Sequence, residues 1–486
     1  MLAAREPWIL WGILALGLLL RLSGIAFGLP FHVFNDEDPN VNAGLLLVQF
    51  HTLIPAFHAV AFKSILYEAP LLSQLYAILF TPFVLLHASN SWIWIAARAF
   101  DAVVSTATAY LVYVIARRFF PLRTALASAA FFATSFISIT VSSTARHWTL
   151  GTFFSVLALY GVIKAFDSKH RLAWLAATGA TLGLAFGASY LIYYVPLIGT
   201  YVLYRFHQEY PQGSLADKAF LKAFAVLAGA YLIVATIFYF VYPSSFLGDV
   251  AYVTSRGDKS FLGFFVFYLQ TLFNLETPLF IFAVIGAWFV RRRSVILAPA
   301  ALLFILMAYL FLADAIRFVI PLLPLLALLA GYGFDQFRMR VPGKVFMAIT
   351  LLLAGYFLAL YGRYELLMVR NDTRAAFFSW AHANLPSGSE LIIATDSIDQ
   401  HFFTGQKFSV ITIASGTAFP AEKQAAIARA LAASSTSKYV VKGSWGAGTQ
   451  QKLFIGGDYN GSGKQLLQLL YGIPQLGPDI TVYALA

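Results

Sequence analysis

The residues of this sequence best suited to acid–base chemistry form one short run, Asn35-Asp36-Glu37-Asp38-Pro39-Asn40. Its three consecutive acids follow the first long apolar segment, residues 8–30, in a chain with only 22 Asp and Glu among 486 residues. A carboxylate can take a proton from a hydroxyl group, and carboxylate oxygens are also ligands for hard cations. The alternative is a solvated loop with an Asx-type turn before Pro39, which accounts for Asp38 and Asn40 without any chemistry.

The composition indicates that these acids belong to a membrane protein. Hydrophobic residues make up 60% of the chain and charged residues 11%, with a mean hydropathy of +0.74. Soluble domains have a very different balance, so we predict a polytopic α-helical membrane protein. The chain has no Cys, which excludes disulfides, thiolate metal sites and Cys nucleophiles. The net charge of +11 matters here through its distribution across the membrane, and no nucleic-acid partner is expected.

Apolar segments long enough to cross a bilayer, which takes about 20 residues, recur along the first 370 residues. Arg5 precedes the first segment as in a signal peptide, but that segment is long, contains Arg21 and lacks a small-x-small cleavage pattern. We therefore predict an uncleaved span there. The eleven predicted spans are residues 8–30, 91–116, 122–143, 147–166, 172–187, 189–206, 219–242, 275–290, 295–313, 317–335 and 343–362.

A further apolar segment, Leu66 to His87, is placed by the distribution of positive charge. If it lies along the outer surface or is re-entrant, the predicted cytoplasmic segments hold 16 Lys and Arg against five Asp and Glu. If it spans the membrane, every later loop changes sides relative to Arg5. The positive-inside rule therefore favours a surface helix in the first outer loop. The acid run and the C-terminus then both lie outside. The basic residues are Arg5, Arg117, Arg118, Arg123, Lys164, Lys169, Arg171, Arg205, Lys218, Lys222, Arg291, Arg292, Arg293, Arg338, Arg340 and Lys344.

The character of the sequence changes near Asn371. Apolar runs shorten to strand length, as at residues 391–394 and 439–441, and a helix-like stretch at 421–433 separates them. This pattern predicts a small water-soluble α/β domain, residues 371–486, after a transmembrane domain of residues 1–370. The glycines of this part fit turns better than a phosphate-binding loop.

The predicted topology brings many charged residues to the outer ends of the spans. Charged groups at such places are expensive to desolvate and usually mark a substrate path. Carboxylates there suit proton abstraction, and guanidinium groups suit bidentate binding of a phosphate. Arg98 and Asp101 are three residues apart and can share one helix face, either as an internal ion pair or as functional groups. The set comprises Asp36, Glu37, Lys63, Glu68, Arg98, Asp101, Arg146, His147, Asp249, Arg256, Asp258, Lys259, Glu276, Asp314 and Arg317.

Several short motifs along the chain share an order and spacing with a known family. They are Asp36-Glu37, Tyr67-Glu68-Ala69-Pro70-Leu71, Trp94 to Arg98 with Arg117-Arg118 after it, Ser142 to Arg146, Arg317 to Pro324, and Asp372 to Pro386. Together they resemble the GT-C superfamily of integral-membrane glycosyltransferases, in particular the protein O-mannosyltransferases and aminoarabinose transferases that use polyprenyl-phosphate sugars. The chain departs from that pattern at Glu68-Ala69, where many relatives have a basic residue and a second Pro, and at His147-Trp148, where many have an acid.

The resemblance implies a glycosyltransferase that moves a sugar from a polyprenyl-phosphate donor to an acceptor hydroxyl at the outer face, with inversion. Asp36 is then the base. Glu37 either positions the acceptor or binds a divalent cation together with Asp36; no other cofactor is implied. Arg317 binds the donor phosphate, helped by Arg98, Arg146 and Lys63. The implied substrate contacts are Glu68, Asp101 and His147.

The resemblance further implies a multi-pass protein of the inner or plasma membrane with a cytoplasmic N-terminus. Its partners would be membrane lipids, the polyprenyl-phosphate-linked sugar and a lipid, glycan or protein acceptor. The alternative is a transporter or lipid flippase, which would use the buried charges as a passage. Transporters usually contain repeats around a site at the bilayer midplane. The charges here cluster at one face and no repeat is visible, which favours the enzyme.

The topology gives a first testable prediction. Residues 371–486 are expected outside the cytoplasm, so a single Cys placed at Ser435 in this Cys-free chain should react with an impermeant thiol reagent in intact cells. A matched Cys in a predicted cytoplasmic loop, at Lys169, should react only after the cells are permeabilised. Protection of the Cys at Ser435 in intact cells would rule out the eleven-span topology.

Overall fold

A computed structural model describes residues 2–29, 37–63, 66, 69–190, 194–209, 218–244, 261–290, 316–369, 373–393, 407–412, 438–444 and 479–485. The chain divides into two compact units. One comprises Met1–Ile25 and Phe34–Leu358, and the other comprises Ala26–Val33 and Ala359–Ala486.

The described residues of the first unit form helices joined by turns and loops. Two short segments, Pro55–His58 and Ile316–Leu322, are 3-10 helices. The α-helices are α1 (Leu2–Leu22), α2 (Asp38–Gln49), α3 (Ala59–Phe62), α4 (Leu71–Leu85), α5 (Asn90–Phe119), α6 (Leu122–Ala133), α7 (Phe136–Ser142), α8 (His147–Asp167), α9 (Arg171–Ser189), α10 (Tyr194–Glu209), α11 (Lys218–Val241), α12 (Phe261–Leu275), α13 (Thr277–Phe289), α14 (Leu323–Arg340) and α15 (Gly343–Val369).

Six helical segments among the described residues are long and apolar enough to cross a membrane, and up to eight are if each of two bent helix pairs counts as one span. Pro7–Leu22 and Leu71–Leu85 are shorter apolar helices. The predicted span 295–313 lies outside the described residues. The structure therefore establishes a mostly helical protein with several apolar helices, and the count of eleven spans stays a prediction.

Two predicted spans have a different form in the structure. The segment predicted as 122–143 is a broken helix, with α6 and α7 meeting at an angle of 50°. Ser135 ends the break by capping α7, because its hydroxyl accepts a hydrogen bond from the backbone N–H of Ser138 at 3.2 Å. The segment predicted as 275–290 is preceded by the apolar helix α12, and the pair bends by 114° at Glu276.

The helix α4, predicted to lie along the surface or to be re-entrant, has one buried face. Leu72, Tyr76 and Phe80 are wholly buried, and α4 packs against α2 and α5. Its depth relative to the membrane remains a prediction.

Glycines allow two helix pairs to pack with their backbones close together. A Cβ atom at Gly179 of α9 would overlap the carbonyl oxygen of Leu227 on α11, and one at Gly183 would overlap Val234. Between α13 and α14, a Cβ at Gly286 would overlap the carbonyl oxygen of Leu329. Small residues at such crossings are typical of membrane helices, whose association depends on close packing.

The second unit contains a four-stranded sheet and one helix after the end of α15. The helix is α16 (Thr373–Asn384), and the strands are β1 (Glu390–Ile393), β2 (Ser409–Thr412), β3 (Lys438–Ser444) and β4 (Asp479–Leu485). The strand order is β2-β1-β3-β4. Strand β1 is parallel to both neighbours, with Glu390 opposite Ser409 and Lys438, and β4 is antiparallel to β3. A small apolar core forms between α16 and the sheet; its buried members are Phe377, Ala381, Leu385, Leu391, Ile393 and Phe408.

The glycine contacts predict a difference between two Gly→Ala substitutions on adjacent helices. Gly179→Ala should destabilise the protein by about 1–3 kcal/mol, because the added methyl group forces α9 and α11 apart. Gly229→Ala on α11 has nothing within 4 Å of the added carbon and should be neutral or slightly stabilising, since Ala is the better helix former. Thermal unfolding of the purified variants, followed by tryptophan fluorescence, measures the difference. Equal Tm values for the two variants would contradict this account of the α9–α11 contact.

Candidate functional site

Predicted site residues come together where three segments of the first unit meet. Glu37 stands just before α2, and Arg98 and Asp101 lie on α5. The third segment is the loop of residues 143–146, which joins α7 to α8. All three acidic and basic side chains named here are almost completely buried.

Glu37 and Arg98 form a buried two-bond ion pair. The Arg98 Nε donates to Glu37 Oε1 at 3.0 Å, and its Nη2 donates to Glu37 Oε2 at 2.8 Å. The exposed fractions of the two side chains are 1% for Arg98 and 0% for Glu37. Arg98 Nη1 also donates to the carbonyl oxygen of Ile25 at 2.7 Å. This parallel geometry is the strong form of a guanidinium–carboxylate contact.

The same carboxylate also holds the loop 143–146. The backbone N–H of Ala145 donates to Glu37 Oε1 at 2.8 Å. The next backbone N–H, that of Arg146, donates to Asp101 Oδ2 at 2.7 Å. Two acids from different elements therefore bind two consecutive peptide groups, which determines the path of the chain into α8.

Asp101 receives a second hydrogen bond from α4. The hydroxyl of Tyr76 donates to Asp101 Oδ2 at 2.9 Å, and both side chains are wholly buried. The sequence predicted that Arg98 and Asp101 share one helix face, as an ion pair or as functional groups. In the structure they contact separate partners, Glu37 for Arg98 and Tyr76 with the loop for Asp101.

The start of α8 connects this cluster to the segment around Arg317. Arg146 is the N-cap residue of α8, and His147 is its first residue. The ring of Trp148 meets that of Phe318 edge to face, with 4.9 Å between the centroids. The partly buried Arg317 places its guanidinium 5.4 Å from the centroid of the adjacent Phe318 ring. Arg146, His147 and Arg317 therefore belong to two elements in direct contact.

Three other predicted residues lie elsewhere or are not described. Lys63 is exposed at the end of α3. Asp36 and Glu68 lie outside the described residues, so their assigned roles are unchanged predictions. Within the described ranges, no group of three or more His, Asp and Glu side chains could hold a metal ion. Glu37 Oε1 accepts two hydrogen bonds and Oε2 accepts one. A cation bound by Asp36 and Glu37 stays a prediction, because Asp36 lies outside the described residues.

Sequence reasoning missed two kinds of participant. Tyr76 sits in an apolar helix where nothing in the local pattern sets it apart, and the backbone N–H groups of Ala145 and Arg146 have no sequence signature at all. Arg21 could be recognised from the sequence, because a charged residue inside an apolar span usually has a structural or functional role. Its side chain is wholly buried and contacts α5, α6 and α7.

The arrangement as a whole holds the backbone of residues 145 and 146 in place between Glu37 and α5. Arg98 makes three hydrogen bonds to Glu37 and Ile25, so in this conformation it organises the site and does not present an open guanidinium. Glu37 and Asp101 likewise bind the backbone of the loop 143–146.

Comparisons with known proteins relate this chain to one sequence family and to several solved structures. Residues 75–240 match the sequence model of the family described as dolichyl-phosphate-mannose-protein mannosyltransferase. The structure of ArnT from Cupriavidus metallidurans bound to undecaprenyl phosphate matches with a TM-score of 0.57 at 14% identity, covering 98% of each chain. The oligosaccharyltransferase AglB from Archaeoglobus fulgidus, in complex with an inhibitory peptide and a dolichol-phosphate, matches with a TM-score of 0.52 at 14% identity, covering 90% of this chain and 69% of that one.

A third structure shares only part of its length with this chain. The protein O-mannosyltransferase Pmt1-Pmt2 complex of S. cerevisiae, bound to the sugar donor, has a TM-score of 0.39 at 20% identity. That match covers 50% of this chain and 34% of the yeast chain. No curated protein sequence matches the chain. The family match and the ArnT-like fold confirm the resemblance to the GT-C membrane glycosyltransferases.

The buried pair predicts a strong and non-additive effect on stability. Arg98→Leu should destabilise the protein by about 3–5 kcal/mol, because it leaves the Glu37 carboxylate buried without its cation. Adding Glu37→Leu should recover much of that loss. The exposed pair Arg118–Asp167, with its Arg side chain 53% exposed, is the control, and Arg118→Leu should cost at most about 1 kcal/mol. Thermal unfolding of these three variants beside the wild type tests this; equal losses for Arg98→Leu and Arg118→Leu would refute it.

Proposed function

We propose that this chain is a membrane glycosyltransferase that moves a sugar from a polyprenyl-phosphate donor to an acceptor hydroxyl at the outer face of the membrane. The ArnT-like fold and the family match support the reaction class. One observation carries the assignment of the site: Glu37, the second acid of the Asp36-Glu37 pair, is locked between Arg98 and the loop 143–146. In the Asp36-Glu37 pair, Glu37 is therefore the structural acid, and Asp36 is the acid that we assign to the chemistry.

Asp36 is the proposed base. It takes the proton of the acceptor hydroxyl as the oxygen attacks the anomeric carbon of the donor. The bond from that carbon to the phosphate oxygen breaks in the same step, and its electron pair leaves with the polyprenyl phosphate. Direct displacement inverts the anomeric centre. A positioned carboxylate typically contributes 10²–10⁴-fold through such proton transfer.

The departing phosphate needs cations, because negative charge develops on it in the transition state. Arg317 is the main candidate, since its planar fork can bind two phosphate oxygens. Arg146 lies at the start of α8, which contacts the segment of Arg317 through Trp148 and Phe318. Lys63, which is exposed, is the third cation. A donor with a lipid tail reaches these residues from the bilayer.

The remaining predicted residues have supporting roles. Arg98 and Asp101 position the site through Glu37 and the loop 143–146. Glu68 and His147 contact the sugar or the acceptor. No step of this mechanism depends on a metal ion.

Domain roles and location complete the proposal. Residues 1–370 are the transmembrane catalytic domain, and residues 371–486 are an extracytoplasmic α/β domain. The protein lies in the inner or plasma membrane with its N-terminus in the cytoplasm. Its acceptor is a lipid, a glycan or a protein.

The base assignment predicts the behaviour of two neighbouring Asp→Asn variants. Asp36→Asn should lower turnover by roughly 10²–10⁴-fold with donor binding nearly unchanged, because an amide keeps the shape but cannot take the proton. Asp38→Asn is the control. Asp38 lies in the first turn of α2, where its charge favours the helix N-terminus by about 0.3–1 kcal/mol, so its loss should change turnover far less.

The assay uses purified protein in liposomes with a radiolabelled polyprenyl-phosphate sugar. Donor hydrolysis serves as the readout until an acceptor is known. Near-full activity of Asp36→Asn together with an inactive Asp38→Asn would overturn the assignment of the base. A wild-type protein that moves the labelled lipid between leaflets without releasing or transferring sugar would be a flippase.

A further inference from the structure

The break between α6 and α7 is bound on one side by a buried guanidinium. Arg21 Nη1 donates to the carbonyl oxygen of Ala133 at 2.7 Å, and Nη2 donates to that of Phe132 at 3.3 Å. These carbonyl groups end α6, where the regular helix supplies too few donors; that of Phe132 also accepts a hydrogen bond from the backbone N–H of Ser135 at 3.2 Å. The same side chain reaches across the break, because Nη2 also donates to Ser138 Oγ at 2.9 Å.

The other side of the break is bound by a buried carboxylate. Glu276 Oε1 accepts a hydrogen bond from the backbone N–H of Ile137 at 2.7 Å and another from the hydroxyl of Ser135 at 2.6 Å. Its side chain is 3% exposed. Glu276 itself stands at the 114° bend between α12 and α13. One carboxylate therefore joins the two bent helix pairs.

The two charges match the electrostatics of the helix ends. The C-terminus of a helix carries partial negative charge and favours a cation, whereas the N-terminus carries partial positive charge and favours an anion. Arg21 is at the C-terminus of α6, and Glu276 is at the N-terminus of α7. Because the bilayer supplies no water to satisfy such ends, side chains must do so. The break is therefore stabilised by specific side-chain contacts on both sides.

The break controls a segment that leads directly into the candidate site. Helix α7 has seven residues, so it is about 10 Å long at 1.5 Å per residue. Opening the 50° bend into a straight helix would displace the far end of α7 by about 9 Å. The loop 143–146 follows at once, and its backbone N–H groups are those bound by Glu37 and Asp101.

We propose that Glu276 is a positioning residue of the catalytic site, which acts with Arg21 by holding the α6–α7 break and thereby the loop 143–146. The effect on catalysis rests on the proposed function; the effect on the loop does not. Both contacts to Glu276 are hydrogen bonds to one oxygen. A substitution can therefore separate the role of that oxygen as a hydrogen-bond acceptor from the role of the negative charge. Glu276→Gln keeps a carbonyl oxygen that can accept both bonds, whereas Glu276→Leu keeps only the volume.

The test reads the loop directly through a single Cys at Ser143, which is 5% exposed in this Cys-free chain. Glu276→Leu should raise the rate of N-ethylmaleimide labelling of that Cys in detergent at least 10-fold, and Glu276→Gln should change it less than about 3-fold. A Cys at Thr178, which is 1% exposed on α9, is the control and should stay protected. An unchanged rate at position 143 in Glu276→Leu, or equal increases at both positions, would overturn the proposal.

A second variant covers the case in which Glu276→Leu does not fold. Ser135→Ala removes one of the two contacts to Glu276 and also the hydroxyl that caps α7 at Ser138. It should raise labelling at position 143 by about 2–5-fold, again with Thr178 protected. No change in this variant would also overturn the proposal.

Turnover of the same substitutions without the added Cys gives the catalytic readout. Glu276→Leu should lower kcat by 10–100-fold with KM for the donor within about 3-fold, and Glu276→Gln should restore most of it. Normal kcat in Glu276→Leu, despite faster labelling, would refute the catalytic role of the break. A wild-type protein without transfer activity would refute the proposed function and leave the labelling result intact.

Discussion

Burial of charge is the constraint on which the geometry of this site depends. Removing a carboxylate and a guanidinium from water costs several kcal/mol each, and only good geometry with further hydrogen bonds offsets that cost. Glu37 and Arg98 meet this condition through two contacts to each other, one to Ile25 and one to Ala145. The pair can be stable only when these four segments, distant in sequence, are in place together. It therefore specifies one arrangement of the site more than it adds stability.

The same constraint explains why backbone groups play so large a part. Where a chain leaves a helix inside a membrane protein, its N–H and C=O groups must find partners within the protein. Among the described residues, the break at Thr134-Ser135 and the loop 143–146 are two such places. Acidic side chains bind the backbone N–H groups in both, Glu276 in the first and Glu37 with Asp101 in the second. Irregular backbone and buried acid thus occur together, because each satisfies the other.

How much the sequence could predict depended on the range of the interaction. Long apolar runs predicted the membrane helices, and the scarcity of acids identified the run at Asp36–Asp38. The short apolar runs at 391–394 and 439–441 overlap the strands Glu390–Ile393 and Lys438–Ser444. The partner of Arg98 was not predictable in the same way. Asp101 is close to Arg98 in sequence, but the residue that binds its guanidinium group is Glu37, 61 positions away.

Breaks within spans were equally hidden from the sequence. The segment 122–142 remains apolar across Thr134 and Ser135, and Ser and Thr are common inside membrane helices because their hydroxyls can bond to the preceding turn. Thr134 does this, donating to the carbonyl oxygen of Ala130 at 2.8 Å. Ser135 instead caps the next helix, and it does so beside Glu276, which is 141 positions away. The hydropathy of a segment predicts whether it lies in the membrane. A bend within it depends on hydrogen bonds to residues elsewhere in the chain, such as that from Ser135 to Glu276.

The pairing of Glu37 also bears on how an adjacent acid could serve as a base. A guanidinium without a counter-charge would stabilise the ionised form of any neighbouring carboxylate and so weaken it as a proton acceptor. Glu37 neutralises Arg98 inside the protein, so the pair adds little net field to its surroundings. The cations assigned to the phosphate lie on other elements, at the start of α8 and in the Ile316–Leu322 segment. In the proposed mechanism, separating the paired cation from the phosphate-binding ones would let one site both accept a proton and stabilise a departing anion.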